Sequence, residues 1–306
     1  MTRHSAPVLA LMLAAAAAPA SGQTRARAPL ALQLPASARA AALGNAFPLA
    51  SADADVLFYH PAQLTGARGL ASTLAAYGSS SLLLTVAAAA EWWGGGLGIG
   101  IQATSYGAFS LDEGAYERGE AGLGEAGPLA TSELVGSAGY ARTFFGFRVG
   151  LVGKIAEERV AGERDVTAAA DFGVARGLGR VTLALSAQNV GRDPELDSLD
   201  ARLPRTFTLA AATASRPTGP FDIALAASLS RWEDGTFVPA GGAEIAWWPV
   251  PGRTFSARIG ARWVEDSDIF PLTLGAGFSG DRVSIDYAFA DHDRGDPVHR
   301  VGVRMR

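Results

Sequence analysis

From about Leu70 to the end, the chain repeats one pattern: runs of roughly ten residues in which apolar and polar or small side chains alternate. In "VSIDYAFA", Val283, Ile285, Tyr287 and Phe289 oppose Ser284, Asp286 and Ala288. In "TFSARIGARW", Phe255, Ala257, Ile259, Ala261 and Trp263 oppose Ser256, Arg258, Gly260 and Arg262. A period of two puts each set on its own face of a β-strand. The run length suits a tilted strand that crosses a bilayer. The pattern predicts about fourteen strands: 70–77, 81–91, 95–106, 131–143, 146–156, 167–176, 180–190, 204–214, 220–230, 236–248, 253–264, 270–279, 282–290 and 298–306.

The connections supply an independent test. Those after even strands are mostly tight ("WGG", "FG", "GLG", "PVPG", "SGD"), whereas those after odd strands are mostly longer and charged, such as "EERVAGERD" and "GRDPELDSLDAR". Trp92-Trp93, Phe144-Phe145 and Trp247-Trp248 all fall on the short-turn side. Short turns at one end, long loops at the other and an aromatic girdle at an interface are features of outer-membrane barrels. A soluble β-sandwich explains neither the parity nor the aromatic placement. The expected fold class is therefore all-β: a transmembrane antiparallel β-barrel of about fourteen strands. An even count puts both ends on the periplasmic side, and closure requires the first strand to pair with the last.

Composition narrows the picture. The chain is 48% hydrophobic but 18% charged, below the ~25% usual for soluble domains. A net charge of −4 gives no field for nucleic acid, and Lys154 is the only lysine. Without cysteine there are no disulfides, thiol nucleophiles or cysteine metal sites. Arg3, the apolar "APVLALMLAAAAA" and the small residues of "APASGQ" predict a secretory signal over 1–22. Residues 23–66 then form an N-terminal segment, expected to plug the barrel of 67–306. The glycines of "GGGLGIGIQ" alternate with Leu97, Ile99 and Ile101, and no Lys-Ser/Thr follows, so they read as small inward residues rather than a phosphate loop.

With the apolar faces toward lipid, the lumen receives Lys154, Asp171, Asp222, Glu244, Arg258, Arg262, Asp286, Arg300 and Arg304. Two readings fit these charges. They are mutually satisfying ion pairs, or the four late arginines form an anion-selective lumen. Catalytic residues and cofactors are not expected, since no Ser/His/Asp constellation falls on one rim; an outer-membrane hydrolase is a remote alternative. The stretch "GNAFPLASADADVLFYHPAQL" carries the candidate plug or gating residues Asn45, Phe47, Asp53, Asp55, Tyr59, His60 and Pro61. Two aspartates and a histidine lack the supporting ligands a metal site needs, so packing and contact with the charged lumen is the simpler task.

That same stretch, preceded by "SARAAAL", resembles the entry motif of the FadL-like PorV/PorQ outer-membrane proteins, where an acidic pair and an aromatic precede Asn-Pro-Ala-Gly-Leu. Here His60 stands in place of the Asn and Gln63 in place of the Gly. "AADFGVARGLGRVTLALSAQNVG" with "LPRTFTLAAA", and the tail "SIDYAFADHDRGDPVHRVGVRMR", are similar to later family segments in the same order. The resemblance implies a fourteen-stranded barrel with its N-terminal segment inside, located in the outer membrane of a Gram-negative-type bacterium. It also implies a non-enzymatic, secretion-associated role of type IX kind, with outer-membrane lipid and secreted proteins or secretion-system components as partners. A FadL-like channel for a hydrophobic ligand is the alternative.

Overall fold

The computed structural model describes residues 26–46, 52–77, 81–106, 131–160, 163–195, 201–264, 271–291 and 297–305. Phe47, the signal segment 1–22 and the long connection 107–130 lie outside the described residues.

Fourteen antiparallel strands run in chain order around the molecule. They are β1 (Gly69–Tyr77), β2 (Ser81–Trp92), β3 (Gly95–Tyr106), β4 (Thr131–Phe144), β5 (Phe147–Val160), β6 (Glu163–Leu178) and β7 (Val181–Gly191). They continue as β8 (Thr206–Thr213), β9 (Phe221–Trp232), β10 (Phe237–Val250), β11 (Arg253–Arg262), β12 (Leu272–Ser279), β13 (Val283–Ala290) and β14 (Val298–Met305). Closure is direct: β14 pairs with β1 from Val298↔Tyr77 to Met305↔Leu70, so this sheet leaves no edge there for lipid to meet.

The strands lie close to where the alternation places them. One connection differs. "EERVAGERD", read as a loop, is mostly ladder, with Glu157 to Val160 facing Glu163 to Val166. Both strands exceed the length a bilayer needs, so charged residues extend the hairpin past the apolar band. At the other end, Trp93-Gly94 and Phe145-Gly146 each hold two successive residues at positive φ (49° and 73°, 50° and 80°). This is the type I′ geometry that follows strand twist in two-residue hairpins, and it leaves both aromatic rings outermost.

The apolar faces point outward. Ile99, Ile155, Leu209, Leu225, Leu274 and Ile285 are each about half exposed, and similar side chains recur around the barrel. In water this would be an aggregation surface, and its natural solvent is hydrocarbon. Among the described residues, no helix is long and apolar enough to span a membrane.

The inner face is filled by the N-terminal segment, which carries 3-10 turns at Leu30–Leu32, Ala54–Phe58 and Pro61–Gly66 and the one-turn helix α1 (Ala38–Ala41). Ser37 caps α1 by accepting the Ala40 N–H at 3.4 Å. Val56, Leu57, Phe58 and Leu64 form the largest apolar cluster with wall alanines of β1, β2 and β4. The wall meets this segment with small residues. A methyl group on Gly96 would fall 1.6 Å from the Leu64 carbonyl oxygen, and one on Gly260 2.1 Å from the Gly44 nitrogen. The "GGGLGIGIQ" glycines are thus backbone-on-backbone contact points inside the barrel. Gly44 itself combines φ +67° with an approach to Ala261 that leaves no room for a side chain.

Candidate functional site

Charges inside the barrel sort by depth. In the half nearer the short turns, three arginines and three carboxylates close into an alternating ring. Arg39 of α1 grips Glu244 of β10 with two bonds, Nη2 to Oε1 at 2.8 Å and Nε to Oε2 at 3.1 Å. Glu244 also accepts from Arg258 Nε, its direct cross-strand neighbour on β11. Arg258 Nη1 reaches Asp286 Oδ1 of β13 at 2.7 Å, and Asp286 Oδ2 accepts from Arg304 Nε of β14 at 2.7 Å. Arg304 Nη1 donates to Asp53, which also accepts from Arg39 Nη1 at 3.3 Å and so completes the circuit. The ring is charge-neutral and nearly dry: Arg258, Asp286 and Asp53 are exposed by 5%, 2% and 2%. Two of its members belong to the N-terminal segment and four to the wall. It therefore clamps one to the other, with each buried charge compensated.

A second buried pair sits across the lumen. Lys154 Nζ lies 2.7 Å from Asp171 Oδ2 and 2.7 Å from Asn189 Oδ1. Asn189, at φ 57° beside a break in the β6–β7 register, returns its own N–H to Asp171 Oδ1 at 2.8 Å. The left-handed residue opens the ladder and lets a side chain replace a backbone partner.

Beside the ring lies an acid outside the balance. Asp55 is buried, with Oδ1 unpartnered, and burial together with the adjacent Asp53 charge pushes its pKa up to about 6. His60 sits against the wall where Gly173 leaves space, with Nε2 3.0 Å from the Leu185 carbonyl. Burial lowers its pKa to about 4, so the ring is neutral and donates through Nε2. Tyr59 accepts the Ser37 N–H at 3.0 Å, and Pro61 opens the last 3-10 turn against Gly150. Asp53, Asp55 and His60 therefore do not converge on one point, and no metal-binding group of His, Cys, Asp or Glu occurs among the described residues.

Toward the long-loop end the balance fails. Arg262 and Arg300 are followed along their strands by no acid, and among the described residues neither has an ion-pair partner. Arg300 Nη2 donates to the Tyr77 hydroxyl at 2.8 Å, while its Nε and Nη1 are buried without partners. Asn45, at φ 64°, lines the same cavity as both arginines. Asp222 also stands outside the ring, with Oδ1 buried and unpartnered. The ion pairs thus account for the deeper lumen charges, whereas Arg262 and Arg300 stand outside them among the described residues.

Three contributors were not among the candidates. Arg39 is the lone charge in "SARAAAL", the one signal that would have marked it. Glu133 accepts the Leu30 and Ala31 N–H groups at 2.8 and 2.6 Å and so pins the first 3-10 turn. Arg148 Nη1 holds Gln63 Oε1 at 2.8 Å, which gives Gln63 a partner in the wall.

Solved structures share this architecture. The toluene transporter TodX of Pseudomonas putida aligns with a TM-score of 0.52 at 12% identity, over 86% of this chain and 96% of that one. A TodX monoaromatic hydrocarbon channel deletion mutant aligns at 0.50 and 11% identity, over 83% and 94%. The fold is that of an outer-membrane β-barrel. At such identities the likeness concerns the fold alone. No family model and no curated protein matches the sequence.

Proposed function

We propose that this chain is a non-enzymatic outer-membrane barrel, closed at rest by its own N-terminal segment, that works by binding partner proteins at its long-loop face. The carrying observation is the filled lumen. Buried side chains and backbone of residues 27–46 and 52–68 contact the inner wall from β2 to β6 and from β10 to β14, and the arginine–carboxylate ring locks them there. A barrel so packed offers partners its surface before it offers solutes a path. Together with the PorV/PorQ-like entry motif, this supports a secretion-associated role, with exported proteins or secretion-system components as partners. In this reading Asn45, Asp53, Asp55, Tyr59, His60 and Pro61 seat the segment, and take part in no bond-making chemistry.

A second reading is a channel for hydrophobic small molecules, favoured by the TodX likeness, since that structure is described as a toluene transporter. Against it, the lumenal cavity bordering Asn45 sets two arginines and Asp291 among its apolar lining residues, charges that a purely hydrocarbon path would have to pass. Two measurements separate the readings. Cross-linking in intact outer membranes followed by affinity capture should recover an exported protein, and deletion should leave that cargo in the periplasm. Toluene entry into proteoliposomes above the protein-free rate would instead establish the channel and displace the binding role.

A further inference from the structure

The cavity near the long-loop end has a volume of about 130 Å³. One side is N-terminal segment, including Asn45; the other is wall, with Tyr77 of β1, Arg262 of β11, Thr273 of β12 and Arg300 of β14. Its electrostatics are lopsided. Two guanidiniums border it without an ion-pair partner among the described residues, and Arg300 is only 3% exposed. Asp291, the one carboxylate on the lining, has an interaction of its own. Buried cations are ordinarily paired, because the cost of removing them from water is recovered only by an opposite charge or a full set of acceptors. The same strands show this four residues away: Arg258 on β11 and Arg304 on β14 are each held by two carboxylates.

The donors are arranged for a ligand with several acceptor atoms. Arg300 Nε and Nη1 are buried and unpartnered on the two different edges of the guanidinium that flank Nη2, so each offers its own charge-assisted donor to an oxyanion. Its remaining Nη2 is tied to the Tyr77 hydroxyl, and the cation lies 5.2 Å from the Tyr77 ring centroid, so the side chain is held in place before any ligand arrives. Thr273 Oγ1 accepts the Gly44 N–H at 3.0 Å, which leaves its hydroxyl proton to donate. The Asn45 side-chain oxygen is buried and unpartnered, and the opposite amide orientation would turn Nδ2 toward an anion.

We propose that this cavity binds a small oxyanion, a phosphate or carboxylate group, between Arg262 and Arg300. The cavity volume admits such a group and excludes a bulky one. Because Asn45 and Thr273 come from opposite sides of the segment–wall boundary, the anion bridges them and stabilises the seated N-terminal segment by mass action. The site completes at the long-loop end what the ion-pair ring does deeper in the lumen. It goes beyond the partner-binding reading and stands whether or not that reading does.

The test uses the purified full chain in detergent, with unfolding followed by heat-modifiable electrophoretic migration at constant ionic strength. Inorganic phosphate should raise the wild-type midpoint and saturate, acetate should do so more weakly, and chloride should not. R262Q/R300Q should lose the saturable response, and R300Q alone should weaken apparent affinity by about tenfold or more, as expected for one charge-assisted contact. R68Q, which alters an exposed Arg68–Glu91 pair at the short-turn end, should respond like wild type. A rise that never saturates and persists in R262Q/R300Q would be general salt exclusion and would overturn the site. If R262Q/R300Q fails to fold, equilibrium dialysis of phosphate against wild type decides: one saturable site displaced by acetate supports the proposal, and no retained phosphate refutes it.

Discussion

Arg258 and Arg262 share one face of β11, as Arg300 and Arg304 share one face of β14, each pair four residues apart. A strand rises ~3.3 Å per residue, so each pair samples two levels ~13 Å apart along its strand. At the deeper level both arginines enter a neutral ring with Glu244, Asp286, Asp53 and Arg39; at the outer level neither has an ion-pair partner among the described residues. The residue type and its facing are the same, and what differs is the acids within reach: at the deep level the wall supplies Glu244 and Asp286 and the N-terminal segment Asp53, whereas opposite the outer pair the segment supplies Asn45. A lumen charge therefore acquires its role from the wall and the segment together.

The strongest way to break this contrast is to move the segment. Gly96→Ala places a methyl on the Leu64 carbonyl, and the collision is with backbone. It should destabilise the barrel by at least about 3 kcal/mol or unseat the segment, read as a lowered midpoint in urea or as protease access near Leu64. Gly136→Ala, whose methyl would meet nothing within 4 Å, should change the midpoint by less than about 0.5 kcal/mol.

Removing a shared acid of the ring should cost nearly as much. Asp286→Asn strips a carboxylate from two buried arginines at once, and loss of one partner from a buried pair costs about 3–5 kcal/mol. Across the lumen, Lys154→Met should fall in the same range, whereas Lys154→Met with Asp171→Leu should recover most of the loss, because no uncompensated charge remains. The same unfolding assay reads all three. A single Lys154→Met no worse than the double variant would show that the pair is not behaving as a buried one.

Asp55 and His60 sharpen the comparison through pH. The folded Asp55 pKa, about 6, lies above its ordinary 3.8, so the folded state keeps a proton that the unfolded chain has lost. Stability from this group falls as pH rises from about 4 to 6, and the cost is complete above that window. His60 has the opposite sign. Its folded pKa, about 4, lies below 6.5, so the unfolded chain takes up the proton first and stability falls as pH drops from 6.5 toward 4. The two slopes oppose each other in the wild type. Asp55→Asn should stabilise the barrel above pH 6, by roughly 1–3 kcal/mol, and expose a steady decline on acidification due to His60. An unfolding series across pH 4 to 8 checks both signs. The smallest effect belongs to Arg262→Gln without added anion, within about 0.5 kcal/mol, because it removes a cation that no acid compensates.

The barrel was legible because its code is local. Each strand carries its own two-residue period, and tight turns such as Trp93-Gly94 mark where the chain reverses. The inward position of Glu244, Arg258, Asp286 and Arg304 follows from that period. The closing of their ring does not. It depends on Arg39, 205 residues from Glu244, and on Asp53, 251 residues from Arg304, in a segment with no period to announce what it touches. The Val160 hairpin was misjudged for a related reason: "EERVAGERD" is charged like a loop, but its charges decorate strands that rise above the apolar band. Asp53, Asp55 and His60, close in sequence, are likewise sent by the 3-10 turns to three different neighbours.

In the proposed function the N-terminal segment, clamped by the ion-pair ring, closes the barrel. Single-molecule conductance across a planar bilayer tests it most directly, comparing wild type with Asp286→Asn and with a chain lacking residues 26–66. Wild type should be silent or nearly so, Asp286→Asn should show intermittent openings, and the deletion should conduct in steady steps. Steady wild-type conductance equal to that of the deletion would contradict the account.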